Sequence, residues 1–284
     1  MSMAQETAIR IPVDPANPGQ FFACCGLLEF ADRLWKGTEG WFEIRHFCIR
    51  TTEPTASLAQ LLKSARDIAL ANDGATDRED EGENEDDAED KSSSMSIVSP
   101  VSLHLDWWKD KSLKPWAGSM NARKIFVAMC AAIDPQSDNP LNHGQFVYDP
   151  AATVILKNGK TKAKKGEPRE PFYFDGRRGA NSQSLDIGFA PDPLKKLLKF
   201  KTIAYPVVEA MALIGLQRCQ PKPAETPRVF DYFSWQEPYP VSVLSAAVYG
   251  ILDNSCGYRF ENAFRTPQRK HKAFNPATPI ERSK

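Results

Sequence analysis

Residues 11–35, IPVDPANPGQFFACCGLLEFADRLW, hold the end of a strand, the turn out of it and a complete helix. Ile9, Ile11 and Val13 alternate with other residue types, the period of a half-buried strand. Asn17 then reads as a helix cap. Pro18 occupies the first turn, where a missing N–H costs nothing, and Gln20 stands at the third position, as in a capping box. Cys24, Leu27, Leu28, Ala31 and Leu34 follow at helical spacing, and Gly37 and Gly40 stop the helix.

Outward from this unit the same alphabet recurs. Trp41 to Ile49 alternates as a strand, and Leu58, Leu61, Leu62, Ala65 and Ile68 make an amphipathic helix ending near Asn72. Residues 73–96 are acidic, then serine-rich, with almost no large apolar side chain, so a disordered insertion is expected there. Val101, Leu103 and Leu105 resume strand alternation, and a helix is expected over 121–133 with Ile125, Met129 and Ile133 on one side. Val154 to Leu156 reads as a strand running into the hairpin signal Asn158-Gly159. Phe172 to Phe174 and Leu185 to Phe189 read as strands around a polar loop, and Asp192-Pro193 opens a short basic helix. Val207 to Leu216 is apolar on nearly every side, hence a buried helix. Val229 to Trp235 is a strand and Val241 to Leu252 another apolar helix. Strands and helices mixed without strict βαβ regularity predict an α+β fold with mainly antiparallel sheets and packed helices. The expected organisation is an N-terminal strand–helix unit (1–72), the acidic insertion (73–96), a main region (97–264) continuous with the first unit, and a loose basic tail (265–284).

The chain has 284 residues and a formal net charge of zero, which hides an asymmetry. Residues 77–90, DREDEGENEDDAED, contain ten acids and one base, whereas from Lys157 onward there are 22 bases and 12 acids. A basic body with an acidic insert points to a polyanionic partner. The insert is either a mask for that basic surface or a solvated spacer. No stretch approaches the roughly 20 apolar residues of a membrane span, and the N-terminus lacks the pattern of a secretory signal, so a cytoplasmic location is expected. The six cysteines, at 24, 25, 48, 130, 219 and 256, include no Cys-x-x-Cys, so neither a zinc site nor another cofactor is expected.

Three stretches are candidates for nucleic-acid contact. The lysine-rich hairpin 157–169 offers Lys157, Lys160, Lys162, Lys164 and Lys165 to phosphates, or else serves only for solubility. In 174–189, FDGRRGANSQSLDIGF, Gly176 and Gly179 flank Arg177 and Arg178, and Asn181, Ser182 and Gln183 follow. Guanidinium forks suit bidentate contacts to phosphate or guanine. In 105–119, Trp107, Trp108 and Trp116 interleave with Lys109, Lys111 and Lys114, which can stack bases and pair phosphates or can simply belong to the core. No catalytic motif is present, and the chain reads as a non-enzyme. His104 and Asp106, two apart on a strand, are the remaining candidates for metal-dependent nuclease chemistry, and nothing in the sequence completes their set.

The opening block 11–35, LHLDWWKDKSLKPWAGSM at 103–120 and VVEAMALIGLQRCQP at 207–221 together resemble a CRISPR-associated family of type I-U (I-G) systems, a short form of the large subunit of Cascade-type effector complexes. The resemblance implies a subunit that joins guide RNA, target DNA and other effector subunits, with cutting left to a helicase–nuclease recruited in trans. In such complexes the guide reads sequence by pairing, while protein reads a short motif and backbone shape. The chain departs from the pattern in being shorter than a typical large subunit and in carrying the acidic run 77–90. A purely structural subunit that touches only protein is the rival reading.

Overall fold

The computed structural model describes residues 7–71, 94–109, 112–116, 120–150, 152–155, 161–164, 166–178, 203–252, 255–265 and 271–280. The acidic run, the polar loop from Gly179, the expected strand 185–189 and the expected helix at Asp192 lie outside the described residues. In chain order the elements are β1 (Thr7–Pro12), α1 (Pro18–Leu34), β2 (Glu39–Glu43), β3 (His46–Thr51), α2 (Leu58–Arg66), β4 (Ala69–Leu70), β5 (Met95–Ser99), β6 (Leu103–Leu105), α3 (Ala122–Ala131), β7 (Gln145–Phe146), β8 (Ala152–Ile155), β9 (Thr161–Lys164), β10 (Ile203–Ala204), α4 (Pro206–Arg218), β11 (Lys222–Pro223), β12 (Val229–Trp235), β13 (Tyr239–Pro240), α5 (Leu244–Val248), β14 (Ser255–Phe264), β15 (Lys272–Phe274) and β16 (Thr278–Ile280).

The fold is α+β. Every strand pairing among the described residues is antiparallel. One sheet has the order β1-β3-β2-β13, and a second has β11-β12-β14-β15 with β16 also on β14. Helix α1 fills the space between them. Its Phe21 stacks on Phe42 of β2 at 5.1 Å and lies 4.4 Å from Tyr232 of β12, and its Phe22 reaches Phe260 of β14. The sheets are tied directly where the Trp235 indole N–H donates to the Gly40 carbonyl at 2.7 Å.

The third side of α1 is covered by α4. Both helices are buried around their whole circumference, α1 from Pro18 to Ala31 and α4 from Pro206 to Leu216. They touch backbone to backbone. A Cβ on Gly26 would overlap the Met211 carbonyl oxygen, and one on Gly215 would overlap that of Phe22 and sit 2.7 Å from Gly26 N. The helices run parallel: both N-termini meet the segment 174–176, and near their C-terminal ends Arg218 Nε pairs with Glu29 at 2.5 Å. One core cluster extends from Ile9 to Ala277, so the N-terminal unit and the main region are continuous. Among the described residues no helix is long and apolar enough to cross a membrane.

Several expectations need correction. Trp41 to Ile49 is two strands, since the chain turns at the exposed Ile44 and pairs Phe42 with Phe47. Met95 and Ser96, assigned to the insertion, begin β5, because Met95 is a core residue paired with Leu105. Phe172 to Phe174 form no strand, as the Phe174 N–H goes to a side chain, the Glu209 carboxylate. Val241 to Leu252 splits into a 3-10 turn, Val241–Val243, and the single turn α5, ended by Gly250 at φ 77°. Within the tail expected to be loose, the described residues 271–280 are folded: β15 and β16 both pair with β14, and Phe274 is buried against Phe174 and Phe260.

Replacing Gly26 or Gly215 with alanine is expected to lower the unfolding free energy by about 2–3 kcal/mol, because the helices cannot separate without opening the core. Urea denaturation would show a lower midpoint at an unchanged m-value. Neutral behaviour of both variants would mean that the helices do not meet through their backbones.

Candidate nucleic-acid interface

The polar loop from Gly176 is rooted in a buried junction built by four pieces of chain. Asn17, the α1 cap, accepts from Gln20 N at 3.4 Å and from Gly176 N at 2.9 Å, and its amide donates to Asp175 Oδ1 at 2.9 Å. Gln20 receives the Asp14 N–H at 2.8 Å and donates to Asn142 Oδ1 at 3.2 Å. Glu209, in the first turn of α4, accepts from the backbone N–H groups of Phe174 and Asp175, each at 3.3 Å. Gly176 packs closely here, since a Cβ there would lie 3.2 Å from both Pro18 and Pro276, a tight contact that the neighbours would have to relieve by a small shift. Tyr173 takes the left-handed conformation at φ 71°, held by the Phe274 N–H on its carbonyl and by Arg265 stacked 3.4 Å from its ring centroid.

Two carboxyl groups share this interior, and their environments differ. Asp175 is fully buried but receives Asn17, the Arg177 backbone N–H and the Arg177 guanidinium, which reaches it at 2.9 and 2.5 Å. Burial, together with the neighbouring Asp175 charge, pushes the Glu209 carboxyl up to about 8 against the pull of its backbone donors. Glu209 is therefore neutral at pH 7, and Asp175 with Arg177 forms the charged pair.

The structure disperses the candidate contacts. Arg177 spends its donors inside the protein: besides Asp175, Nη1 reaches Asn142 Oδ1 at 2.7 Å and Nη2 the Leu141 carbonyl at 2.8 Å, while the guanidinium lies 3.5 Å from the Tyr205 ring centroid. These bonds lock the loop root. Arg178 ends the 3-10 turn Gly176–Arg178. Asn181, Ser182, Gln183, Lys157, Lys160 and Lys165 lie outside the described residues. Lys162 and Lys164 stand on β9 in register with Val154 and Ala152.

Trp107 and Trp108 are corrected outright. They are 5% and 2% exposed, packed with Trp116, Phe172 and Phe174, and the Trp107 indole N–H donates to the Leu213 carbonyl at 2.9 Å. Rings enclosed in this way cannot receive a base. Lys114 is also buried, its ammonium 5.2 Å from the Trp116 ring centroid, and is no surface contact. Lys109 pairs with Asp106 at 2.9 Å, and Lys111 is outside the described residues.

His104 and Asp106 are hydrogen-bonded to different partners. His104 Nδ1 is 3.0 Å from Ser96 Oγ, whereas the Asp106 carboxylate accepts from Lys109 and Gln217, which hold it below the usual range. Among the described residues no group of three or more potential ligands is placed to hold a metal. Sequence reasoning missed Glu209, Asp175 and Asn142. The one legible signal was Glu209 itself: a lone carboxyl in the apolar run VVEAMALIGL must find donors if that helix is buried.

Searches against protein-family models, curated proteins and solved structures found no match for the chain.

The junction sets a pH dependence. A carboxyl whose folded pKa lies above its unfolded value leaves the folded state holding more protons, so stability is greatest below the unfolded value and falls as pH rises toward 8. Stability is expected to drop by on the order of a few kcal/mol between pH 4.5 and pH 8 through this group. Glu209→Gln is expected to flatten that decline while retaining the fold at pH 7. An unchanged slope in denaturant midpoints across this range would contradict a neutral Glu209.

Proposed function

We propose that the chain is a non-catalytic subunit of a type I CRISPR RNA-guided antiviral effector complex, acting in the cytoplasm and contacting guide RNA or target DNA through basic segments rooted on the junction. One observation carries the reading: the three sequence blocks that bear the family resemblance, far apart in the chain, build a single place. The first supplies Asn17 and Gln20, the second seats Trp107 on the Leu213 carbonyl, and the third contributes Glu209 beneath Phe174 and Asp175. From that place the Arg177-Arg178 segment emerges, and the lysine-bearing β8–β9 hairpin joins it through the ribbon 147–149/167–169. Phosphate contacts by flexible lysines add affinity without reading sequence, which suits a partner whose guide does the reading. Cutting by a separate helicase–nuclease agrees with the lack of catalytic motifs in the sequence.

A second reading has its own support. Many arginines are bound to the protein's own carboxylates: Arg10 to Glu43, Arg50 to Glu39, Arg169 to Asp149, Arg177 to Asp175, Arg218 to Glu29 and Arg259 to Asp231. Such self-pairing leaves less charge for phosphates and favours a subunit that contacts only protein.

The two readings separate in the assembled complex. Replacing Lys157, Lys160, Lys162, Lys164 and Lys165 together with alanine is expected to weaken target-DNA binding roughly ten-fold and to flatten its salt dependence, with the subunit still co-purifying. Equal affinity and equal salt slope, with assembly intact, would favour the protein-only role.

A further inference from the structure

The sheet β1-β3-β2-β13 has two faces, and the helix pair uses one of them. Ile9, Ile11, Phe42, Phe47 and Ile49 are buried toward α1, so the alternate residues of the same strands point outward. The strand registers set these outer residues in rows. Pro12, His46 and Glu43 share one row, Arg10, Cys48 and Trp41 the next, and Arg50 and Glu39 a third. Cys48, flanked by Arg10 and Trp41, is buried; the other seven are exposed or half-exposed, so this face lies at the surface. Beyond the first row the hairpin turns at Ile44, which is 93% exposed. A large aliphatic side chain standing in water at the end of a half-exposed tryptophan face calls for a partner.

Charge on this face is sorted by strand. Glu39 and Glu43 stand on β2 on either side of Trp41, whereas Arg10 is on β1 and Arg50 on β3. Arg10 reaches Glu43 at 2.5 Å, Arg50 pairs with Glu39, and the Arg50 guanidinium lies 5.9 Å from the Trp41 ring centroid. Two acids cancel two bases, so the face offers a polyanion no net attraction. Tryptophan and arginine are instead the side chains that anchor protein interfaces. One protein occupant matches the sorting, a second copy of the chain. In a face-to-face pair whose two-fold axis runs between the sheets along β3, β1 of each copy lies over β2 of the other and the rows stay in register. Arg10 then comes over Trp41 of the second copy, between its Glu39 and Glu43, and symmetry makes that contact twice. Both Ile44 tips fall at the same end and cover one another. Arg50, on the axis strand, meets its own copy, and the Glu39 carboxylates offset the like charge. An axis across the strands would set Glu43 over Glu39 and is disfavoured.

We infer that the outer face of this sheet, with Arg10 and Trp41 across its middle row and Ile44 at its end, is a self-docking surface that pairs two copies of the chain. The pairing is independent of the nucleic-acid reading, because the face shares no residue with the junction or with the lysine hairpin. Three short strands and a turn make a small interface, so the dissociation constant is expected on the order of 10 µM.

Sedimentation velocity of the full chain tests it, over concentrations from about 1 to about 200 µM, which bracket that constant. Wild type is expected to pass from monomer to dimer across the series. Ile44→Asp, Arg10→Glu and Glu43→Arg all fall at exposed positions, where the fold tolerates them, and each is expected to weaken dimerisation about ten-fold or more. An equimolar mixture of Arg10→Glu with Glu43→Arg is expected to pair nearly as tightly as wild type. In that mixed pair one contact keeps its native charges and the other has them exchanged, a rescue that damage to the monomer would not give. A wild type that stays monomeric at the highest concentration would overturn the inference. So would a dimer indifferent to all three substitutions, since its interface then lies elsewhere, or single variants that weaken without pairing in the mixture. Monomeric wild type, with a co-purifying subunit lost on Ile44→Asp, would assign the face to a different protein and overturn the inference as well.

Discussion

Everything in this molecule is arranged around two parallel helices that meet without side chains between them. At Gly26 and Gly215 the backbones of α1 and α4 come into direct contact, a separation that only glycine permits. The closeness has two consequences. Each helix must be apolar on all sides, because what its partner does not cover is covered by a sheet or by the aromatic cluster around Trp107. Their N-terminal ends also converge, so two positive dipole ends lie beside one segment of chain.

That convergence explains why the segment 173–177 can be so polar and yet buried. Asp175 sits where two helix N-termini favour negative charge, and Arg177 neutralises it from the solvent side. Glu209 then has no counter-charge left and persists as the neutral acid. A salt bridge between an enclosed carboxylate and a partly exposed guanidinium gives little net stability, as desolvation offsets the attraction. Its value here is geometric, since it fixes the direction in which the chain leaves the core at Gly176. The surface that follows inherits its position from the helix pair.

Much of this was legible. The Asn17-Pro18 entry to α1, the all-round apolar run of α4 and the Val229–Trp235 strand follow from local rules and stand in the structure as read. The failures share a cause. Trp107, Trp108 and Lys114 have the same spacing whether they line a groove or fill a core, and burial is decided by partners far along the chain. Strand β14 went unread because polar residues interrupt its apolar pattern. Arg259 is answered by Asp231 on the neighbouring strand, and Asn262 by the Ser112 carbonyl. Phe146 and Ile203, 57 residues apart in sequence, have no local signature at all as a pair.

The proposed function puts nucleic acid on the basic segments rooted at the junction and leaves the tryptophan cluster dry. Hydrogen exchange of the full chain, with and without a saturating single strand, reads both halves at once. The proposal expects slowed exchange at 147–149 and 161–169, with 105–109 and 112–116 unchanged. Slowing confined to the tryptophan segments, or slowing nowhere, would contradict it.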